Sequence, residues 1–130
     1  MGLEDRLATR LGQVPGLVVA YLFGSRARGD HRLRSDADIA VLLARTPTCL
    51  NEYPFDLAGE LETELGIPVD VVVLNGAPPD LVHRVLRDGV LLVDKDPTTR
   101  IAFEVRSRNE YFDLAPIREA YRRPRGATQS

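Results

Sequence analysis

The sequence predicts an α+β fold, and three observations carry that prediction. Short apolar runs rich in Val, Leu and Ile stand at residues 17–23, 36–43, 67–74 and 90–93. Between them lie stretches whose apolar residues recur at helical spacing, and Gly, Pro or Asn-Gly punctuates the joins. At 130 residues the chain suits one domain. That domain is expected over residues 1–123, with a polar tail at 124–130 expected to lack order.

Leu3, Leu7 and Leu11 repeat every four residues among charged neighbours, which predicts a helix over residues 2–13 ending near Gly12. Pro15-Gly16 turns the chain into a strand at 17–23, too short and too β-branched to prefer helix. After Gly24-Ser25, residues 25–29 suit a short helix. Residues 30–35 form a polar connection in which His31 is read as solvated. A second strand is expected at 36–43, and residues 44–53, with Pro47 and Cys49, read as a loop.

Leu57, Leu61 and Leu65 then set a helix over 55–65 closed by Gly66, with Asp56, Glu60, Glu62 and Glu64 as its solvated face. The third strand, 67–74, carries Asp70 inside an apolar run, where a charge is costly unless it is paired or coordinated. Asn75-Gly76 leads to a helix on which Leu81, Val82, Val85 and Leu86 share a side, stopped at Gly89; His83 on it is read as structural or solvated.

A short strand at 90–93 follows, with Asp94 opening the turn 94–97. Beyond it Ile101, Ala102, Val105 and Phe112 trace a helical apolar stripe, and Glu104 with Arg108 makes an i, i+4 pair. Pro116 interrupts or restarts that helix before Ile117, Ala120 and Tyr121. The arginines between Arg100 and Arg125 suit either a solvated amphipathic helix or a contact face for RNA or an acidic protein.

Composition narrows the function. A formal charge of −2 and a pI near 5.7 give no overall attraction to nucleic acid, so direct nucleic-acid binding is not favoured. Cys49 is the one cysteine, which excludes an intrachain disulfide and a cysteine-rich zinc site. Apolar runs stop short of the roughly 18–20 residues of a membrane helix, and a cytoplasmic protein is expected.

The chemistry concentrates between residues 18 and 43. Side chains alternate along a strand, so Asp36 and Asp38 leave the same face about 6.5–7 Å apart. Two hard oxygen donors aimed into one space suit Mg²⁺, which takes a few carboxylates and completes its shell with water and substrate phosphates. Gly24 and Ser25 supply the complement. Glycine permits close backbone approach and positive φ, serine adds a hydroxyl, and free N–H groups at such a turn attract anions. Arg26 and Arg28 add positive charge. An anion cradle and a cation site thus lie a short loop apart, which suits a metal-bound triphosphate.

Gly24-Ser25, ten intervening residues and Asp36-x-Asp38 resemble the signature of the DNA polymerase β-like nucleotidyltransferases. The fuller wording Gly-Ser-Arg-Ala-Arg-Gly-Asp followed by Ser35-Asp-Ala-Asp-Ile-Ala-Val-Leu-Leu43 resembles the minimal nucleotidyltransferases, the MntA-type antitoxins that accompany HEPN-domain toxins. The tail wording Asp-Pro-x-x-Arg, Phe-Glu and Tyr-Phe-Asp-Leu-x-Pro extends the resemblance over nearly the whole chain.

The resemblance implies a polymerase β palm-like fold with a mixed sheet of about four strands flanked by helices. It implies ATP as donor, two Mg²⁺ ions held by Asp36, Asp38 and Asp70, and nucleotide contacts from Gly24, Ser25, Arg26 and Arg28. Asp70 takes the place of the family's third carboxylate, which orients or deprotonates the attacking hydroxyl. The implied acceptor is a tyrosine of a HEPN ribonuclease toxin. Two other readings stay open: an antitoxin that neutralises by docking alone, and an adenylyltransferase of small molecules such as aminoglycosides.

Overall fold

The protein is described by a computed structural model over residues 2–24, 36–45 and 52–113. Its elements run α1 (Leu3–Gly12), β1 (Leu17–Phe23), β2 (Ala37–Leu43), α2 (Glu52–Leu65), β3 (Val69–Val73), α3 (Pro79–Asp88), β4 (Val90–Asp94) and α4 (Pro97–Asp113). The four strands form one mixed sheet, as the resemblance implies, and their order is β3-β2-β1-β4. β1 is antiparallel to both β2 and β4, and β2 runs parallel to β3. A parallel neighbour requires a crossover, and α2 supplies it.

The sheet is covered on both faces. Leu7 and Leu11 of α1 with Leu57 and Leu61 of α2 pack against Leu22, Ile39, Val41 and Val69 on one side. Val82 and Val85 of α3 with Phe103 of α4 pack against Val19, Tyr21, Phe23, Ala40 and Leu42 on the other. Strands buried on both faces read as continuous apolar runs, which is why the alternation expected of a half-exposed sheet is missing from 17–23. Near its start β1 carries a bulge: Leu17 pairs with Leu43, but Val19 pairs with Leu42. The extra residue resets the alternation, so Val19, Tyr21 and Phe23 all face α3 and α4.

Local chemistry sets the element ends. Gly66, at φ 76°, ends α2 with its N–H on the Glu62 carbonyl at 2.8 Å. Helix α2 begins at Glu52, earlier than expected, because Pro54 is tolerated in a first turn whose N–H groups lack partners in any case. Asp96 caps α4, accepting from the Thr99 backbone N–H at 3.2 Å and the Thr99 hydroxyl at 2.7 Å. The Asn75 side-chain amide exchanges two 2.9 Å hydrogen bonds with the Leu43 backbone and so finishes β2 as a further strand residue would.

Two expectations about α4 are corrected. Ile101, Val105 and Phe112 are 52 %, 48 % and 62 % exposed, so the apolar stripe faces outward and Phe103 and Ser107 face the core. Glu104 pairs with Arg100, not Arg108. Arg100 NH1 lies 3.2 Å from Glu104 Oε1, its Nε donates to Asp94 Oδ2 at 2.8 Å, and the Tyr21 hydroxyl donates to Glu104 Oε2 at 2.8 Å. Asp94 therefore closes β4 as the acceptor of an ion pair and does not simply open a turn. A tyrosine in an otherwise apolar strand needs a partner for its hydroxyl, and that was the sequence signal for this network. The acids of α2 do lie on its exposed side, though Glu60 and Glu64 reach Arg10 of α1 at 3.1 and 3.0 Å. His83 stacks on Tyr111 at 3.7 Å between ring centres, a structural role joining α3 to α4. Among the described residues no helix is long and apolar enough to cross a membrane.

Leu61 is fully buried between α2 and the sheet. Leu61→Ala is expected to destabilise by about 2–5 kcal/mol in urea melts, the usual cost of such a cavity. Tyr21 supplies a pH test. Burial first, then the hydrogen bond to Glu104, raises its phenol well above its ordinary value of 10.0. An acid whose folded pKa is raised contributes stability that is complete below the unfolded value and is lost as pH rises through the folded one. Melts above about pH 10 should therefore show falling stability, with a shallower fall in Tyr21→Phe.

Candidate active site

Strand pairing assembles the site. Asp36 is the residue before β2, Asp38 is the second residue within it, and Asp70 is the second residue of β3. In register, Phe23 of β1 stands opposite Asp38, and Asp38 stands opposite Asp70. Partners across a ladder share a face and lie about 4.8 Å apart, so Asp38 and Asp70 emerge side by side on the α3 and α4 side of the sheet. Asp36, two residues before Asp38, follows the same alternation. The row sits where β1 ends and β2 begins.

Asp36 and Asp70 are exposed, and Asp38 is half-buried. The burial argument for Asp70 from its apolar neighbours therefore does not hold, because among the described residues β3 is the last strand of the sheet and its second residue meets solvent. What ties Asp70 to the other two is register. The sequence could place it on a strand but could not say which residue of β2 it would meet.

Gly24 closes the row from the β1 side. Its φ is 78°, in the left-handed region, and a Cβ built there would fall onto Asp38 Oδ2 and lie 3.1 Å from Asp38 Cγ. Only glycine can take that conformation with a carboxylate so close. Gly24, proposed as part of the phosphate cradle, thus lies directly against the carboxylate proposed to hold metal. Ser25, Arg26 and Arg28 lie outside the described residues, as do His31, Cys49, the proposed helix at 25–29 and the boundary between residues 123 and 124.

Among the described residues no three His, Cys, Asp or Glu side chains converge on a metal position by themselves. Mg²⁺ does not require that. It is commonly held by one or two carboxylates with waters and substrate phosphates completing an octahedron. A row of hard oxygen donors with a glycine turn pressed against one of them fits a cation that arrives with a phosphorylated substrate.

The family described as polymerase beta, nucleotidyltransferase, matches residues 6–98. The protein adenylyltransferase MntA of Shewanella oneidensis is 35% identical over 107 residues, spanning 82% of this chain and 75% of that protein. A crystal structure of a toxin-antitoxin with AMP-PNP superposes with a TM-score of 0.81 at 32% identity, covering 92% of this chain and 95% of the matched one. A structure of the tri-AMPylated Shewanella oneidensis HEPN toxin in complex with MNT antitoxin superposes with a TM-score of 0.73 at 30% identity, covering 92% of each chain.

Gly24→Ala tests the packing of the turn on the carboxylate. It is expected to cost about 1–2 kcal/mol from the left-handed backbone alone, read in urea melts. Displacement of the Asp38 carboxylate should also weaken binding of Mg²⁺-ATP by about tenfold or more in titration calorimetry.

Proposed function

The chain belongs to the polymerase β nucleotidyltransferase family, and on that premise we propose that it transfers AMP from ATP to a hydroxyl, a tyrosine, of a partner HEPN toxin and so acts as its antitoxin. The observation that carries the reading is the row itself: Asp38 in register with Asp70, with Gly24 packed against Asp38. The AMPylated toxin and the AMP-PNP complex among the similar structures support both the acceptor and the donor.

In this reading the Gly24 turn, with Ser25, Arg26 and Arg28 from the sequence, binds the β and γ phosphates. The acceptor oxygen forms a bond to the α-phosphorus while the bridging oxygen between the α and β phosphates departs with pyrophosphate. Asp70 orients the acceptor hydroxyl and accepts its proton. Mg²⁺, two ions in this reading, would be held by Asp36, Asp38 and Asp70 and would neutralise charge on the phosphates. Little covalent work falls to the protein. Its contribution is to align three groups on one face and to fix the carboxylates before substrate arrives.

An acceptor that is itself a protein suits the architecture. The described residues devote both sheet faces to their own helices, so the acceptor must bring its own binding surface.

The test is the intact mass of a partner HEPN protein after incubation with the chain, ATP and Mg²⁺. One or more added AMP units are expected, and Asp36→Asn/Asp38→Asn should slow their appearance by about 100-fold or more. A stable complex that gains no mass would replace this reading with neutralisation by docking alone.

A further inference from the structure

We propose that the outer edge of β3 is where the acceptor protein docks, as an added strand that sets its hydroxyl beside Asp70; the proposal rests on the transfer reading above. Among the described residues β3 is the last strand on its side of the sheet, so one row of its backbone groups faces away from β2. Which groups these are follows from two hydrogen bonds. The Ala37 N–H donates to the Pro68 carbonyl at 3.0 Å, and the Leu74 N–H donates to the Val41 carbonyl at 2.8 Å. That parity directs the N–H groups of Asp70, Val72 and Leu74 into β2. It directs the N–H and carbonyl groups of Val69, Val71 and Val73 outward.

The outward row is provided for at one end. The Val69 N–H donates to Glu62 Oε2 of α2 at 3.1 Å. Among the described residues the N–H groups of Val71 and Val73 meet no such acceptor.

Edge strands usually carry protection against pairing: a lysine, a proline, a bulge. β3 reads Val-Asp-Val-Val-Val, and its register on β2 runs from Val69 to Val73 without a bulge. Its single charge is Asp70. Beside the edge lies a groove of about 240 Å³ lined by Val71, Val73, Ala77, Pro78 and Leu81 among others. An extended segment with unpaired backbone groups and an apolar side chain is the occupant such a strip fits.

Register then makes the proposal specific. An added strand extends the row Phe23, Asp38, Asp70 by one residue, whose side chain must emerge on the same face. Its Cα would lie within about 5 Å of that of Asp70 whether the strand runs parallel or antiparallel. A hydroxyl-bearing residue at that position meets Asp70 directly. The residue two places away stands beside Val72, so the acceptor segment should carry an apolar side chain at that spacing from its accepting residue.

Amide hydrogen exchange by NMR on the full chain, with and without the HEPN protein, reads the docking directly. On binding, the Val71 and Val73 amides should slow by about tenfold or more, while Val72, already paired with β2, changes little. Val71→Pro removes one outward N–H and leaves the β2 ladder intact. It should cut the rate of AMP transfer about tenfold without changing Mg²⁺-ATP affinity. AMP transfer with unchanged exchange at Val71 and Val73 would overturn the docking proposal and leave the function standing. Slowed exchange without any added AMP would support the docking and overturn the function. If neither is seen, both readings fall.

Discussion

The pairing of β2 with β3 is the constraint on which the rest depends. Asp36 and Asp38 are adjacent by local alternation, but Asp70 is more than thirty residues away in the chain and joins them only because Asp38 and Asp70 are register partners. That pairing is parallel, so it exists only if α2 carries the chain back across the sheet. Leu57 and Leu61, buried against the strands, hold α2 in that position. The hydrophobic core on one face thus sets a carboxylate spacing on the other, and a slip of one residue would turn Asp70 to the wrong side.

The opposite layer has a different kind of anchor. Helix α4 reaches the sheet through Phe103 and Ser107 and through the chain Tyr21, Glu104, Arg100, Asp94. Partly buried ionic groups add little stability over apolar packing, but each leaves a costly orphan if its partner is lost. They therefore specify where α4 sits. Arg100 is bound at once to the end of β4 and to its own helix, so the start of α4 is tied to the sheet in rotation as well as in position.

Much of this was legible in the sequence, and the misses have physical reasons. Strand 17–23 was found with its ends because Pro15-Gly16 and Gly24 bound an uninterrupted apolar run. Gly24 and Asp38 were singled out from chemistry, and the backbone φ at Gly24 explains why that residue type stands there. Asp70 is singled out by the resemblance, as the carboxylate on the strand after Asp-x-Asp, while the burial argument for it does not apply; register between distant strands leaves no trace in local composition. The stripe on α4 failed for a related cause. Periodicity identifies an apolar side of a helix, but not whether the fold buries it, and here the Tyr21 hydroxyl and the Phe103 ring turn the other side inward. Glu104 had two arginines at helical spacing, and the one already pinned by Asp94 holds it.

The bulge in β1 has a consequence for how this chain can vary. Between Leu17 and Val19 the strand carries one residue more than β2 opposite it, and from there on Tyr21 reaches Glu104 while Leu22 fills the core beneath α1 and α2. The number of residues separating the Pro15-Gly16 turn from Gly24 is therefore fixed by counting. Deleting one would either erase the bulge or drag the glycine turn off the carboxylate. Length changes among relatives should accumulate in the connections between elements and be purged from this strand, even where its individual side chains drift.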